Sequence, residues 1–214
     1  GQTPNTLVTL LDYEPAPVIF EVRGLPKEAR YLKTNWERNA SQTMDQYLGL
    51  RIGVVVHCEG GTLRFGTGGG CAAYDADGRK IRDFTGERPT TKQNFIDCIR
   101  SRRAEDLLSP AIEGHLSAGL VHLANISHRL GREAPPATAR ERARTAHGVL
   151  AEALDRMLAH LEANEVDLRR TPLRVGPLLE FDPAAERFHG EQAARANALC
   201  SRDYRPPFLL PDKI

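Results

Sequence analysis

Between Thr90 and Arg132 the apolar residues recur at helical spacing in two blocks. The shorter block, residues 92–103, puts Phe95, Ile96 and Ile99 on one face. The longer opens at Ser109-Pro110, a capping residue followed by a proline suited to a first turn, and closes at Gly131. Within it Ile112, Leu116, Leu120, Leu123, Ile126 and Leu130 form a stripe wide enough to seal the face of a sheet. Upstream, six short runs carry strand character: residues 6–13, 17–24, 52–58, 62–66, 70–75 and 79–84. Tight turns join them in pairs, with Glu14-Pro15-Ala16, Glu59-Gly60-Gly61 and Asp75 to Gly78 as the corners. In 17–24, Val18, Phe20 and Val22 share one face, and Glu21 and Arg23 share the other with Ile19. This predicts a hairpin with one buried face and one partly wet face. The pattern predicts an α+β fold: an open, mainly antiparallel β-sheet of about six strands with helices packed on one face.

Downstream, residues 132–139 read as a proline-bearing connector and residues 148–164 as an amphipathic helix ended by Asn164 in a left-handed conformation. A short strand is expected within 173–181 and an alanine-rich helix over 191–200. The last residues carry Pro206, Pro207 and Pro211 and should run extended. Their Tyr204, Phe208, Leu209 and Leu210 then need burial, on this sheet or on a partner. Residues 133–214 thus form a helical and extended appendage of the same domain. The passage 25–51 lacks periodicity and holds Trp36, Tyr31 and Tyr47. A connection of this length is either functional, as a flap over a site or an arm to a neighbour, or an irregular surface excursion.

Composition narrows the partners. With 27% charged residues and a formal net charge of +1 over 214 residues, no global field recruits nucleic acid or an anionic membrane. No apolar run is long enough to span a bilayer. No basic-then-apolar leader is visible, although the chain opens Gly1-Gln2 rather than with methionine. Cys58, Cys71, Cys98 and Cys200 have neither zinc spacing nor a Cys-x-x-Cys pair, which predicts reduced, mostly buried thiols of the cytoplasm and no metal. The run Gly66 to Gly70 is followed by a strand, whereas a phosphate cradle needs a helix there.

Candidate chemistry lies along the long helix. His115, His122, Asn125 and Arg129 fall beside the apolar stripe at about 100° per residue. With Trp36 they are the substrate-pocket candidates; the competing reading is polar groups satisfied at a helix boundary or a domain contact. No residue of this chain qualifies as catalytic, cofactor-binding or metal-binding.

The strings NFIDCIRSRR, EGHLSAGLVHLANISHRLGR and FDPAAERFHGEQAARANALCSRDYRPPFLLPDKI resemble the C-terminal domain of the Gfo/Idh/MocA family of nicotinamide-dependent oxidoreductases. The likeness is to a branch of bacterial predicted dehydrogenases and runs from about Thr3 onward. The resemblance implies a two-domain enzyme passing hydride between a sugar or polyol and NAD or NADP, with a Rossmann half upstream. It also implies a catalytic lysine in a Glu-Lys-Pro motif and an Asp-x-x-x-His pair. This chain has neither, nor a G-x-G-x-x-G loop, and Asp155 and His160 stand five apart rather than four. The expectation is therefore a substrate-binding and oligomerisation domain, inactive without its Rossmann half and forming a homodimer or tetramer through its sheet. The alternative is a non-catalytic binding or scaffold module that self-associates through the open sheet face.

Overall fold

The computed structural model describes residues 3–85, 90–202 and 204–209; the expected burial of Leu210 and the proline at 211 lie outside them. All strand pairs are antiparallel and the sheets are open, so the α+β class expected from the pattern is observed. Strands β1 (Thr6–Leu11) and β2 (Val18–Arg23) form a hairpin of their own. Strands β3 (Gly53–Cys58), β4 (Gly61–Gly66), β5 (Cys71–Asp75) and β6 (Lys80–Phe84) form a four-stranded meander. The six expected strands are all present but divide between two sheets, because residues 25–51 separate the hairpin from the meander. That passage folds as short 3-10 turns and a single-turn helix α1 (Ala40–Thr43), held by a bridge between Pro26 and Met44.

The helices that follow are α2 (Thr91–Ser101) and α3 (Ala111–Leu130), the first capped by the Thr90 hydroxyl accepting from Gln93 N–H. Strand β7 (Arg132–Ala134) pairs with β8 (Leu173–Val175), and β9 (Glu180–Asp182) with β10 (Arg187–His189). Between them run α4 (Pro136–Ala146) and α5 (Gly148–Ala163), and α6 (Ala193–Asn197) comes last. Helix α4 begins inside the expected connector at 132–139 and runs beyond it; its buried residues are Ala139 and Ala143, too small to mark a stripe. Asn164 caps α5 without turning left-handed (φ −99°); Glu165 takes that conformation instead (φ 57°).

The main core lies where α5 crosses α4 and the β1–β2 hairpin. Leu154, Met157, Leu158 and Leu161 of α5 pack with Ala139 and Ala143, and Val8, Leu25 and Val175 close the edge. The hairpin presents to α5 the face carrying Glu21 and Arg23, while Val18 and Phe20 on its other face are exposed. This reverses the face assignment made from hydrophobicity alone, because Glu21 and Arg23 find charged partners beneath the helix. A second core joins Ile126 of α3 to Phe188 and Ala196, with Phe181 and Phe188 edge to face at 5.0 Å.

The stripe of α3 does not seal the sheet. Its C-terminal half is covered by β9, β10 and α6, but Ile112 (57% exposed), Leu116 and Leu120 are open to solvent, as are Phe95, Ile96 and Ile99 of α2. One face of the meander is open as well. Register aligns Val54, Phe65, Cys71 and Phe84 in one cross-strand row and Val56, Leu63, Ala73 and Arg82 in the next, with the Arg82 guanidinium 5.0 Å over the Phe84 ring at the edge of the face. Of these Val54 (58% exposed), Val56, Phe65 and Phe84 stand uncovered. The opposite face is polar, with the Arg64 guanidinium 3.7 Å over the Tyr74 ring and donating to Leu48 C=O. The thiols are less buried than expected: Cys58 and Cys200 are exposed, Cys71 is intermediate, and Cys98 alone is buried. Among the described residues no helix is long and apolar enough to cross a membrane.

Candidate functional site

Of the residues singled out on α3, the structure gives one a side-chain partner. The His115 imidazole Nε2 lies 2.5 Å from Glu186 Oε1, across 71 residues of sequence. Glu186 sits in the β9–β10 turn at φ 51°, a left-handed backbone that L side chains rarely adopt. His122 and Arg129 are exposed, Asn125 is half-buried, and none of them makes a side-chain hydrogen bond or ion pair among the described residues. Trp36 is half-buried in a 3-10 turn, where its C=O accepts from the Thr43 hydroxyl; no hydrogen bond or aromatic contact ties it to α3 among the described residues. Nearer the helix end, burial and the neighbouring Arg174 cation hold His128 below the usual histidine range.

A denser polar constellation lies under α5. Arg156, His160 and Asn164 follow one another at i, i+4 and i+8, which places them on one edge of the helix, facing the hairpin and the 25–51 passage. Arg156 Nη2 donates to Glu21 Oε1 at 2.5 Å, and its guanidinium stacks 4.5 Å over Tyr47. Burial works against that charge, yet the Glu21 carboxylate keeps Arg156 above its ordinary range. Arg23 Nη1 donates to Asp45 Oδ2 at 2.8 Å, with side chains only 13% and 28% exposed. Asn164 Nδ2 donates to Pro26 C=O and His160 C=O, tying the start of the 25–51 passage to the helix end. The Tyr47 hydroxyl reaches His57 Nε2 of β3 at 3.2 Å, so the same passage also touches the meander.

His160 is the most enclosed member, its side chain 1% exposed. Its Nδ1 stands 3.3 Å from Asp45 Oδ2 but off the line of a hydrogen bond. Both ring nitrogens, Glu21 Oε2 and Arg156 Nε are therefore buried without a hydrogen-bond partner. Desolvation lowers the His160 pKa most and Arg23 adds to it; Asp45 works in the opposite direction without reversing the shift. The imidazole is neutral at neutral pH. Two carboxylates and two guanidiniums balance the remaining charge, so the cluster acts as a clamp between hairpin, passage and helix. The i, i+4, i+8 run of polar residues was the available signal for it in the sequence. The Asp45 contact had none.

A third feature is a cleft of about 740 Å³ between β7, the α4–α5 pair and residues 165–172. Leu158, Val166 and Leu168 form its floor, and Glu133, Glu162 and Glu165 stand on its rim. Among the described residues no group of three or more His, Cys, Asp or Glu side chains is placed to hold a metal ion. Comparison with protein-family models, with curated proteins and with solved structures found nothing that matches this chain.

Proposed function

We propose that this chain is the C-terminal substrate-binding and oligomerisation domain of a sugar or polyol oxidoreductase that uses NAD or NADP, working with a Rossmann half supplied upstream. The sequence strings on α2, α3 and the β9–α6 region are what suggest the family. The structural observation that carries the reading is the uncovered surface. The chain exposes 16203 Å², where a compact monomer of its mass would expose roughly 9,800 Å². Much of the apolar part lies on α2 and the first half of α3, the same helix that bears His115, His122, Asn125 and Arg129. A surface of this kind supports a helix layer that another domain covers, with the polar edge turned to a substrate between the two. The scaffold reading rests on one specific feature, the open apolar face of the meander, and is compatible with assembly as a second role of the same domain.

The test compares this chain alone with the complete polypeptide encoded together with its upstream residues. Millimolar dinucleotide should leave the melting temperature of the chain alone unchanged, since bound ligand would raise stability by RT ln(1 + [L]/Kd). The complete polypeptide should reduce NAD or NADP with a member of a sugar and polyol panel. Low-micromolar dinucleotide binding by the chain alone, or a complete polypeptide without a Rossmann half, overturns the proposal.

A further inference from the structure

We infer that the cleft between β7, the α4–α5 pair and residues 165–172 receives the 204–209 segment of a second copy of this chain. The cleft has an apolar floor of Leu158, Val166 and Leu168. On its rim the carboxylates of Glu133, Glu162 and Glu165 have no ion-pair partner among the described residues. The two arginines at its edge are already engaged: Arg140 with Asp155 at 2.6 Å and Arg169 with Asp167 at 3.0 Å. The cleft therefore offers negative charge around an apolar base.

The 204–209 segment offers the converse. Arg205 stands among Tyr204 (48% exposed), Phe208 (67%) and Leu209 (60%), and with Arg202 and Asp203 just before it the stretch 202–209 carries two cations and one anion, a net charge of +1. The chain turns at Pro206-Pro207 rather than running extended as expected, with Phe208 N–H donating to Arg205 C=O at 2.9 Å, and the two fixed proline rings lower the entropy lost on docking. Those exposures also show that the segment does not fill the cleft of its own chain. Every copy carries both halves of the contact, so two copies that exchange segments close into a two-fold pair without leaving a free end. Pairing between Arg205 and rim carboxylates would be screened by salt, whereas the seating of Phe208 and Leu209 would not.

Two full-length variants test this, one with the segment reversed in charge (R202E/R205E) and one with the rim reversed (E162R/E165R). All four positions lie at the surface, and circular dichroism verifies that both variants fold. A fluorescent peptide of residues 201–214 is titrated into R202E/R205E, whose own segment no longer competes. It should bind, and its binding to E162R/E165R, whose own basic segment is likewise repelled by the reversed rim and does not compete, should be at least tenfold weaker. Association through the segment, followed by energy transfer between labelled copies in a background carrying Val54→Glu and Phe65→Glu so that the open meander face does not hold the copies together, should drop at least tenfold in each variant alone. It should return when the two are mixed, because both exchanged contacts are then oppositely charged again. The inference fails if the peptide does not bind, if its affinity ignores the rim reversal, or if mixing restores nothing. None of these results depends on dinucleotide or substrate, so they stand apart from the test of the proposed function.

Discussion

His160 is the residue on which the pH response of the fold turns. It is buried with both ring nitrogens unpaired, and its pKa is lowered in the folded state by desolvation. The sign follows from proton counting. As pH falls through the ordinary histidine range near 6.5, the unfolded chain takes up a proton that folded His160 refuses, so stability falls. The loss levels off once pH passes below the folded pKa. His128 is shifted the same way and adds to the slope. Urea titrations between pH 7.5 and 5 should show this decline, and H160Q should flatten it while H128Q removes a smaller part. A profile that is flat in the parent chain would contradict the assignment. Beside it, Arg156→Met leaves the Glu21 carboxylate enclosed without its main partner. The loss should be about 1–3 kcal/mol, below the 3–5 kcal/mol of a fully buried pair because Arg156 keeps part of its side chain in water. The double variant E21Q/R156M should recover part of it, measured as the coupling energy of a double-mutant cycle.

At the scale of elements, the period of the apolar residues located the six strands of the hairpin and the meander and helices α2, α3 and α5 to within a few residues, but not β7 or the β9–β10 hairpin, whose strands of three residues are too short to show a period. What else it missed has two physical causes. Helix α4 buries alanines, so its inner face gives no hydrophobic contrast. The passage 25–51 is fixed by bridges and by polar contacts to residues more than a hundred positions away, such as Asn164 to Pro26, which no local pattern encodes. The candidate site divides the same way. His115 was legible from its helical position, but Glu186 was not, because the β9–β10 turn brings it back across 71 residues. The join between α3 and β8 shows how tight such nonlocal contacts are. A Cβ at Gly176 would stand 2.2 Å from Ser127 Oγ and 2.7 Å from Ser127 C=O, while that hydroxyl donates to Pro177 C=O. Gly176→Ala must push the strand off the helix end. It should cost about 1–3 kcal/mol in a denaturant titration, whereas alanine at Gly68, which has open space, should leave the midpoint almost unchanged.

At the scale of the molecule, the open face of the meander decides how the chain behaves in solution. The Val54–Phe65–Cys71–Phe84 and Val56–Leu63–Ala73 residues form one contiguous apolar surface bounded at the β6 edge by Arg82, and isolated exposed side chains would need no such explanation. The polar face behind it is already occupied by Tyr47 and Leu48 of the 25–51 passage, so that passage does not fold over the apolar side. The four strands cannot bury this face against α2 or α3, whose own apolar residues remain exposed. A second meander packed face to face meets the same rows in a self-complementary way, which is the geometry of an isologous dimer. A stable contact of this type buries on the order of 1,600 Å², well within the roughly 6,000 Å² by which this chain exceeds the surface of a compact monomer. The chain should therefore sediment as a dimer or tetramer at micromolar concentration. Val54→Glu with Phe65→Glu should weaken that association at least tenfold, since each copy would bring two charges into an apolar contact. Because both side chains are exposed in the monomer, the same changes should move its unfolding midpoint little, and binding of the 201–214 peptide at the α4–α5 cleft should be unaffected. A chain that sediments as a monomer, or a V54E/F65E variant that associates as well as its parent, would show that this face serves something other than self-assembly.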